Sequence, residues 1–283
     1  MRFTHHADAD SLLAVARETL LAQEAVNGLI LGICSRLAAG GAYSDAPPFL
    51  GTVESGRGLG LVAVMTPPHK LLLHTPDQVE DASLALLADH LLSTGVPVPG
   101  VSAPEGPARR FAEVWCARTG ATARLGMRLC IYELRQVQPL PLPRGEFRLA
   151  GEGDLEIVRG WSRGFHTACF GNDESAKAVQ AGENMIVAGD LFLWVDDVPV
   201  SMAARTRRTL HGQAVSHVYT PPQHRRHGYA TAVVAGLSQR MLDDGREFCT
   251  LYTDLSNPTS NSIYQQIGYR PIADVVDLLF DSP

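Results

Sequence analysis

Arg225, Arg226, His227, Gly228, Tyr229 and Ala230 fall between a β-rich segment, AVSHVYT, and an apolar helical one, YATAVVAGLSQRMLDD. Residues of these types at a strand-to-helix junction suit the capture of an anion. The loop leaves unpaired backbone N–H groups pointing outward, and the positive end of the helix dipole stands behind them. Gly228 keeps a side chain from standing between those amides and a bulky phosphate, and Ala230 permits close approach one turn in. Arg225 and Arg226 add charge-assisted donors suited to phosphate oxygens, while Pro221 and Pro222 end the strand and stiffen the path into the loop. A strand–helix connection with merely solvated arginines would use the same residues, so the wider pattern must decide. No GxxxxGK[ST] loop occurs, and GRGLG at 56–60 lacks the GxGxxG spacing and reads as a hairpin turn. His211, His224 and His227 are of a type that ligates metals, but arginine neighbours make a cation site unfavourable, and no metal is expected.

The elements that must hold this junction can be read on either side of it. Downstream of PLPLPR, FRLA reads as a strand, two helical segments run from Asp154 to Val187, and LFLWVDDVPVSMAART is a hairpin turning at Asp196 and Asp197. AVSHVYT follows, then the helix that begins after Gly228 with Val233, Leu237 and Met241 on one face, Ala230 and Val234 beside them, and Gly245 as its stop. EFCTLYTDL is a buried strand, NPTSNSIYQQIG a short helix, and RPIADVVDLLF a closing strand pair. Upstream the order is similar. DSLLAVARETLLAQEAVNGLILGICSRL has helical spacing, PFLGTVESGRGLGLVAVM is two strands, and LLLH, the helix EDASLALLADHLLSTG, VPVPGVSA, the helix PARRFAEVWCARTG and ARLGMRLCIYEL follow.

The repeated order implies a tandem duplication. Alternating prolines make 139–144 an extended linker, giving domains 1–138 and 145–283. The halves differ at the junction. TPDQV, between LLLH and its helix, has neither glycine nor arginine, so only the second half is expected to bind the anion. TPP at 66–68 lies before LLLH, out of register with Thr220 to Pro222, and is chance.

The 283 residues, 45% hydrophobic and 19% charged, have the balance of a soluble globular protein. A net charge of −6 excludes the basic field that non-specific nucleic-acid binding needs, so any phosphate site is local. The N-terminal stretch MRFTHHADAD has no signal-peptide pattern and no stretch reaches membrane-spanning length; a cytoplasmic protein without a membrane partner is expected. The five cysteines are odd in number and widely spaced, and read as buried reduced thiols.

The segment from about Phe147 to Phe280 resembles the GCN5-related N-acetyltransferase (GNAT) family, whose phosphate loop follows [R/Q]xxGx[G/A] between a strand and a helix. Arg225 to Ala230 matches it, with Pro222 three residues before the arginine. Asn257, Asn261, Tyr264 and the Gly268-Tyr269 step match later family features. The first half resembles a degenerate copy, as in mycothiol synthase and other tandem members. The implied fold is α/β (α+β): two GNAT-like domains, each a twisted mixed β-sheet flanked by helices, with the first contributing a cleft wall and acceptor selection. The resemblance further implies that acetyl-CoA, or another acyl-CoA, lies where AVSHVYT and EFCTLYT splay apart. Its diphosphate would rest on the amides from Arg226 to Ala230, with Arg225 beside them, and its pantetheine would pair with the backbone at Val218, Tyr219 and Thr220 as an added strand. Asn257, Asn261 and Tyr264 would share the helix face toward that cleft, leaving Ile263 and Ile267 to the core.

The implied reaction is N-acyl transfer to a primary amine on a small molecule or peptide, by direct attack on the thioester. A lysine-like amine of pKa about 10.4 is short of deprotonation at pH 7 by roughly 3.4 units, or about 4.6 kcal/mol, so a base or a water wire is needed. Family members often place a carboxylate on the strand before the loop. Here AVSHVYT has only Ser216 and His217, and His217, whose ordinary titration range is suitable, is the candidate base. Tyr264 matches the position of the family's general acid, which protonates the leaving thiolate, and an N–H of Val218 or Tyr219 would hold the oxyanion. The missing strand carboxylate leaves an alternative open, a non-catalytic acyl-CoA sensor. The acceptor, the acyl length and the oligomeric state are not written in the sequence.

Overall fold

A computed structural model describes residues 1–76, 80–171 and 175–281. In chain order its first elements are β1 (Arg2–His5), α1 (Ala9–Leu21), α2 (Gly28–Ala38), β2 (Phe49–Ser55), β3 (Gly58–Met65), β4 (Leu71–His74), α3 (Asp81–Ser93), β5 (Gly100–Pro104), α4 (Glu105–Thr119) and β6 (Thr122–Leu134). Then come β7 (Glu146–Leu149), α5 (Leu155–Phe170), α6 (Ser175–Val187), β8 (Leu191–Asp196), β9 (Val198–Thr206), β10 (Gly212–Tyr219), α7 (Tyr229–Asp243), β11 (Phe248–Asp254), α8 (Pro258–Ile267) and β12 (Arg270–Asp281). These elements cluster into two units. The first comprises Met1–Ile131, Thr253–Ser256 and the chain from Pro271 onward, and the second comprises Tyr132–Tyr252 and Asn257–Arg270.

In the first unit β1, β2, β3 and β4 pair antiparallel in turn, β4 pairs parallel with β5, and β5 pairs antiparallel with β12. Asp8 caps α1 by accepting from the Ser11 amide at 2.8 Å, and Leu12, Leu13, Ala16 and Leu20 recur at helical spacing on its buried side. On the other face of the sheet Leu84, Leu87 and Leu91 of α3 and Phe111 and Trp115 of α4 form the core with Val276 and Leu278 of β12. The closing segment is therefore one continuous strand rather than a pair, and it completes the sheet of the first unit. The TPDQV junction extends over residues 77–79, which lie outside the described residues.

In the second unit β7, β8, β9 and β10 pair antiparallel in turn, and β10 pairs parallel with β11. Val158 and Trp161 of α5 and Ile186 of α6 pack with Leu191 and Leu193 of β8 and Met202 of β9. Helix α7 buries Val233, Val234, Leu237 and Met241, as its spacing predicts, while Ala230 stays partly accessible. The β8–β9 hairpin turns at Asp197, whose φ is 58°. No helix among the described residues is long and apolar enough to cross a membrane. Cys34, Cys130 and Cys249 are buried and Cys116 partly so, but Cys169 is exposed, which corrects the reading of all five as buried thiols.

Candidate functional site

The loop ahead of α7 is held open by its own backbone. A 3-10 turn spans Pro222–His224, Arg226 has φ 66°, and Gly228 has φ 80° as the N-cap of α7, with no side-chain cap. The first backbone bond of the helix runs from Ala232 N–H to Gly228 O at 3.0 Å. Among the described residues no acceptor is found for the amides of Arg226 to Thr231, which leaves a run of donors at the positive end of a long helix. A β-carbon built on Gly228 would meet only Pro143, at 3.7 Å, so the space over these amides is open. The residues present thus fit a diphosphate.

The flanking side chains divide their work. Arg226 and His227 are exposed, and the His227 ring stacks on Tyr229 with centroids 5.5 Å apart. Arg225 is exposed too, yet its Nε donates to Thr220 O at 3.0 Å, so it braces the loop instead of standing free for an anion. Tyr229 turns its hydroxyl to Asp196 Oδ2 at 2.6 Å and offers the cradle only its backbone.

Strand β10 pairs with β11 only at Gly212↔Phe248, Gln213↔Cys249 and Ala214↔Thr250. Beyond that register the strands part, and the edges of Val215 to Tyr219 and of Leu251 and Tyr252 are left without each other. On the β9 side Ser216 pairs Ala204 and Tyr219 pairs Met202, so His217 and Val218 form a bulge that re-aims their backbone. His217 carries the strain of that bulge at φ 52°. Its ring stacks on Phe165 at 4.8 Å, and Nδ1 lies 3.1 Å from Ser216 Oγ. Burial, with the positive field of Arg207 and nearby His166 adding to it, pushes the His217 imidazole down to about 4. His217 therefore does not titrate in the range expected of it and is neutral at pH 7.

Ser201, fully buried on β9, donates to Tyr219 O at 3.2 Å and lies 2.8 Å from Thr220 Oγ1. With the Tyr219 ring packed beneath α5, the strand end has only part of its backbone left for a ligand. Val218, Tyr219 and Thr220 are all partly accessible.

Helix α8 departs from the expected facing. Asn257 is its N-cap, accepting from Ser260 N–H at 3.1 Å, so its side chain has a structural task. Asn261 lies half-buried one turn on. Tyr264 is only 8% exposed and sits on the same side as fully buried Ile267, its ring 6.1 Å from Tyr269 and 6.5 Å from Tyr132. Burial first, with Cys169 adding, raises its phenol to about 12. No hydrogen bond or ring contact joins Tyr264 to His217 among the described residues. Ser201 and Phe165 carry no functional signal in the sequence. Only the aspartate pair at the hairpin turn gave a signal, and it read as turn chemistry.

Residues 195–276, from the end of β8 into β12, match the family model described as FR47-like protein. No curated protein sequence matches the chain. A GCN5-related N-acetyltransferase from Sphaerobacter thermophilus superposes with a TM-score of 0.67 at 13% identity, over 99% of this chain and 96% of that one. A tandem GNAT protein from the clavulanic acid biosynthesis pathway gives 0.60 at 13% identity over 99% and 98%. An acetyltransferase of the GNAT family from Colwellia psychrerythraea gives 0.59 at 12% identity over 99% and 100%. The chain has the fold of the GCN5-related N-acetyltransferases in its tandem form.

Proposed function

We propose that this protein is an acyl-CoA-dependent N-acyltransferase whose second half binds the cosubstrate. The observation that carries the reading is the conjunction, in one unit, of parting parallel strands, a bulge at His217–Val218 and an open run of amides at the start of α7. The amides of Arg226 to Ala230 hold a diphosphate with the Arg226 charge and the His227 ring beside them, and what is left open of the backbone edge at Val218 to Thr220 takes the pantetheine arm. Acyl-CoA, when bound, supplies an activated thioester carbonyl. The N–H of Val218 or Tyr219 in the bulge receives the oxyanion. With its phenol at about 12 against a thiol near 8.5, Tyr264 stays protonated and holds the leaving sulfur by donating a hydrogen bond as thiolate charge develops; the proton that the amine sheds on attack goes to solvent, from which the thiolate is finally protonated. His217, being neutral, accepts hydrogen bonds from the incoming amine or a relaying water and orients it. The acceptor is a primary amine on a small molecule or peptide.

Calorimetric uptake of coenzyme A, followed by amine-dependent release of free thiol from acetyl-CoA, tests the reading. Tyr264→Phe is expected to slow release about a hundredfold with little change in coenzyme A affinity. A second reading, an acyl-CoA-binding sensor, is favoured by one observation: β10 carries no carboxylate and its histidine is a weak base. Tight binding with no amine-dependent release from any amine in a broad panel would select it.

A further inference from the structure

The end of the proline linker borders the amide cradle. Arg144 reaches Asp197 Oδ1 with its terminal nitrogen at 2.7 Å and holds Nε 3.6 Å from Asp196 Oδ1. Asp196 accepts the Tyr229 hydroxyl at 2.6 Å, and Tyr229 is the first residue of α7. The Arg144 backbone is itself fixed, because Trp194 Nε1 donates to its carbonyl at 3.1 Å. Pro143 is the nearest neighbour of the space beside Gly228. Linker, β8–β9 turn and helix start thus meet at the rim of the cradle. This meeting is electrostatically awkward, since Asp196 and Asp197 bring carboxylates to a place where a negative ligand is expected, and like charges there weaken binding.

We propose that Asp196 is a positioning residue for the cradle and that Arg144 is its counter-charge. Through Tyr229, Asp196 fixes the first turn of α7 so that the amides of Arg226 to Ala230 converge. Arg144 cancels the repulsion that the Asp196 carboxylate would exert on a diphosphate. The affinity for the cosubstrate is thereby set in part by the linker. This inference deepens the acyl-CoA reading and rests on it.

The test is calorimetry on the full chain with coenzyme A, and in parallel with inorganic pyrophosphate, for the wild type, Arg144→Gln, Asp196→Asn, the double variant and Tyr229→Phe, at low and high salt. Arg144→Gln is expected to weaken binding about two- to fivefold at low salt and less at high salt, as partly exposed ion pairs do. Asp196→Asn keeps an acceptor for the phenol and removes the charge, so the double variant should recover most of the loss. Tyr229→Phe, which frees the helix start, should weaken both ligands without the salt dependence. An equal loss from Arg144→Gln in both backgrounds would mean that Arg144 acts on the ligand or through Asp197 and not as the counter-charge of Asp196, and no loss at all would mean that it does nothing there; either overturns the proposal. Failure of the wild type to bind coenzyme A is a separate result that removes the acyl-CoA reading and this inference with it.

Discussion

Gly228 combines a left-handed φ of 80° with empty space where a side chain would stand. A bulky residue there therefore pays only the conformational cost, about 1–2 kcal/mol, in the free protein. It would, however, project over the open amides. Gly228→Val is expected to lower unfolding free energy by about that amount while weakening coenzyme A by more than tenfold; denaturant titration and calorimetry on the same sample check both. His217 gives a pH signature of opposite character. Its imidazole titrates near 4 in the folded chain and near 6.5 when unfolded, so the unfolded state binds the extra proton between those values. The resulting stability is intact above pH 6.5 and is lost as pH falls toward 4, by less than about 3 kcal/mol. His217→Gln should lose less stability than the wild type between pH 7 and pH 4.5, measured by denaturant midpoints. Neither the neutral state of His217 nor the burial of Tyr264 was legible in the sequence, because each depends on groups remote along the chain: Phe165, His166 and Arg207 in one case, Tyr132 in the other.

Among the elements, α5 comes close to the Tyr219 ring of β10 at Gly164. A β-carbon on Gly164 would lie 2.6 Å from Cζ of Tyr219, so any side chain there must push the Tyr219 ring aside. Gly164→Ala is expected to cost about 1–3 kcal/mol by overpacking, and, if the strand edge at Tyr219 receives the pantetheine arm as proposed, to raise the KM for acyl-CoA. Thermal unfolding and steady-state rates check this; a destabilised variant with an unchanged KM would separate the ring of Tyr219 from the strand edge. Such elements are legible because their signals are clear: two apolar runs about the Asp-Asp turn in LFLWVDDVPVSMAART, a buried run in EFCTLYTDL, and a 3.6-residue stripe in YATAVVAGLSQRM. The strand at Arg2–His5 carried no such signal, since four residues are too few to show alternation and its order comes from pairing with β2. The facing of α8 was misread for a related reason. Asn257, Asn261 and Tyr264 are spaced for one face, but the tyrosines packed around Tyr264 decide which face is buried.

At the scale of the whole chain, the residues that close the first unit lie far along the sequence from the rest of it. β12 pairs with β5 from Val275↔Pro104 to Leu279↔Gly100, and Lys70 reaches Asp277 at 2.7 Å. Val276 and Leu278 are buried among the side chains of α3 and α4, and Phe280 stacks on Trp115 at 6.0 Å. A duplication read from sequence suggests that each half carries all its own strands, and the pattern of RPIADVVDLLF cannot reveal otherwise, because an apolar strand is the same whichever core it fills. The consequence is measurable. Leu278→Ala removes a side chain that is 6% exposed and should cost about 2–4 kcal/mol. The loss should fall on β5 and α4, more than a hundred residues upstream in the chain, so that amide exchange accelerates around Val101, Phe111 and Trp115 while β8, β9 and α7 keep their protection. Accelerated exchange confined to β10, β11 and α8 would instead assign the closing strand to the second half and would overturn this account of how the first unit is completed.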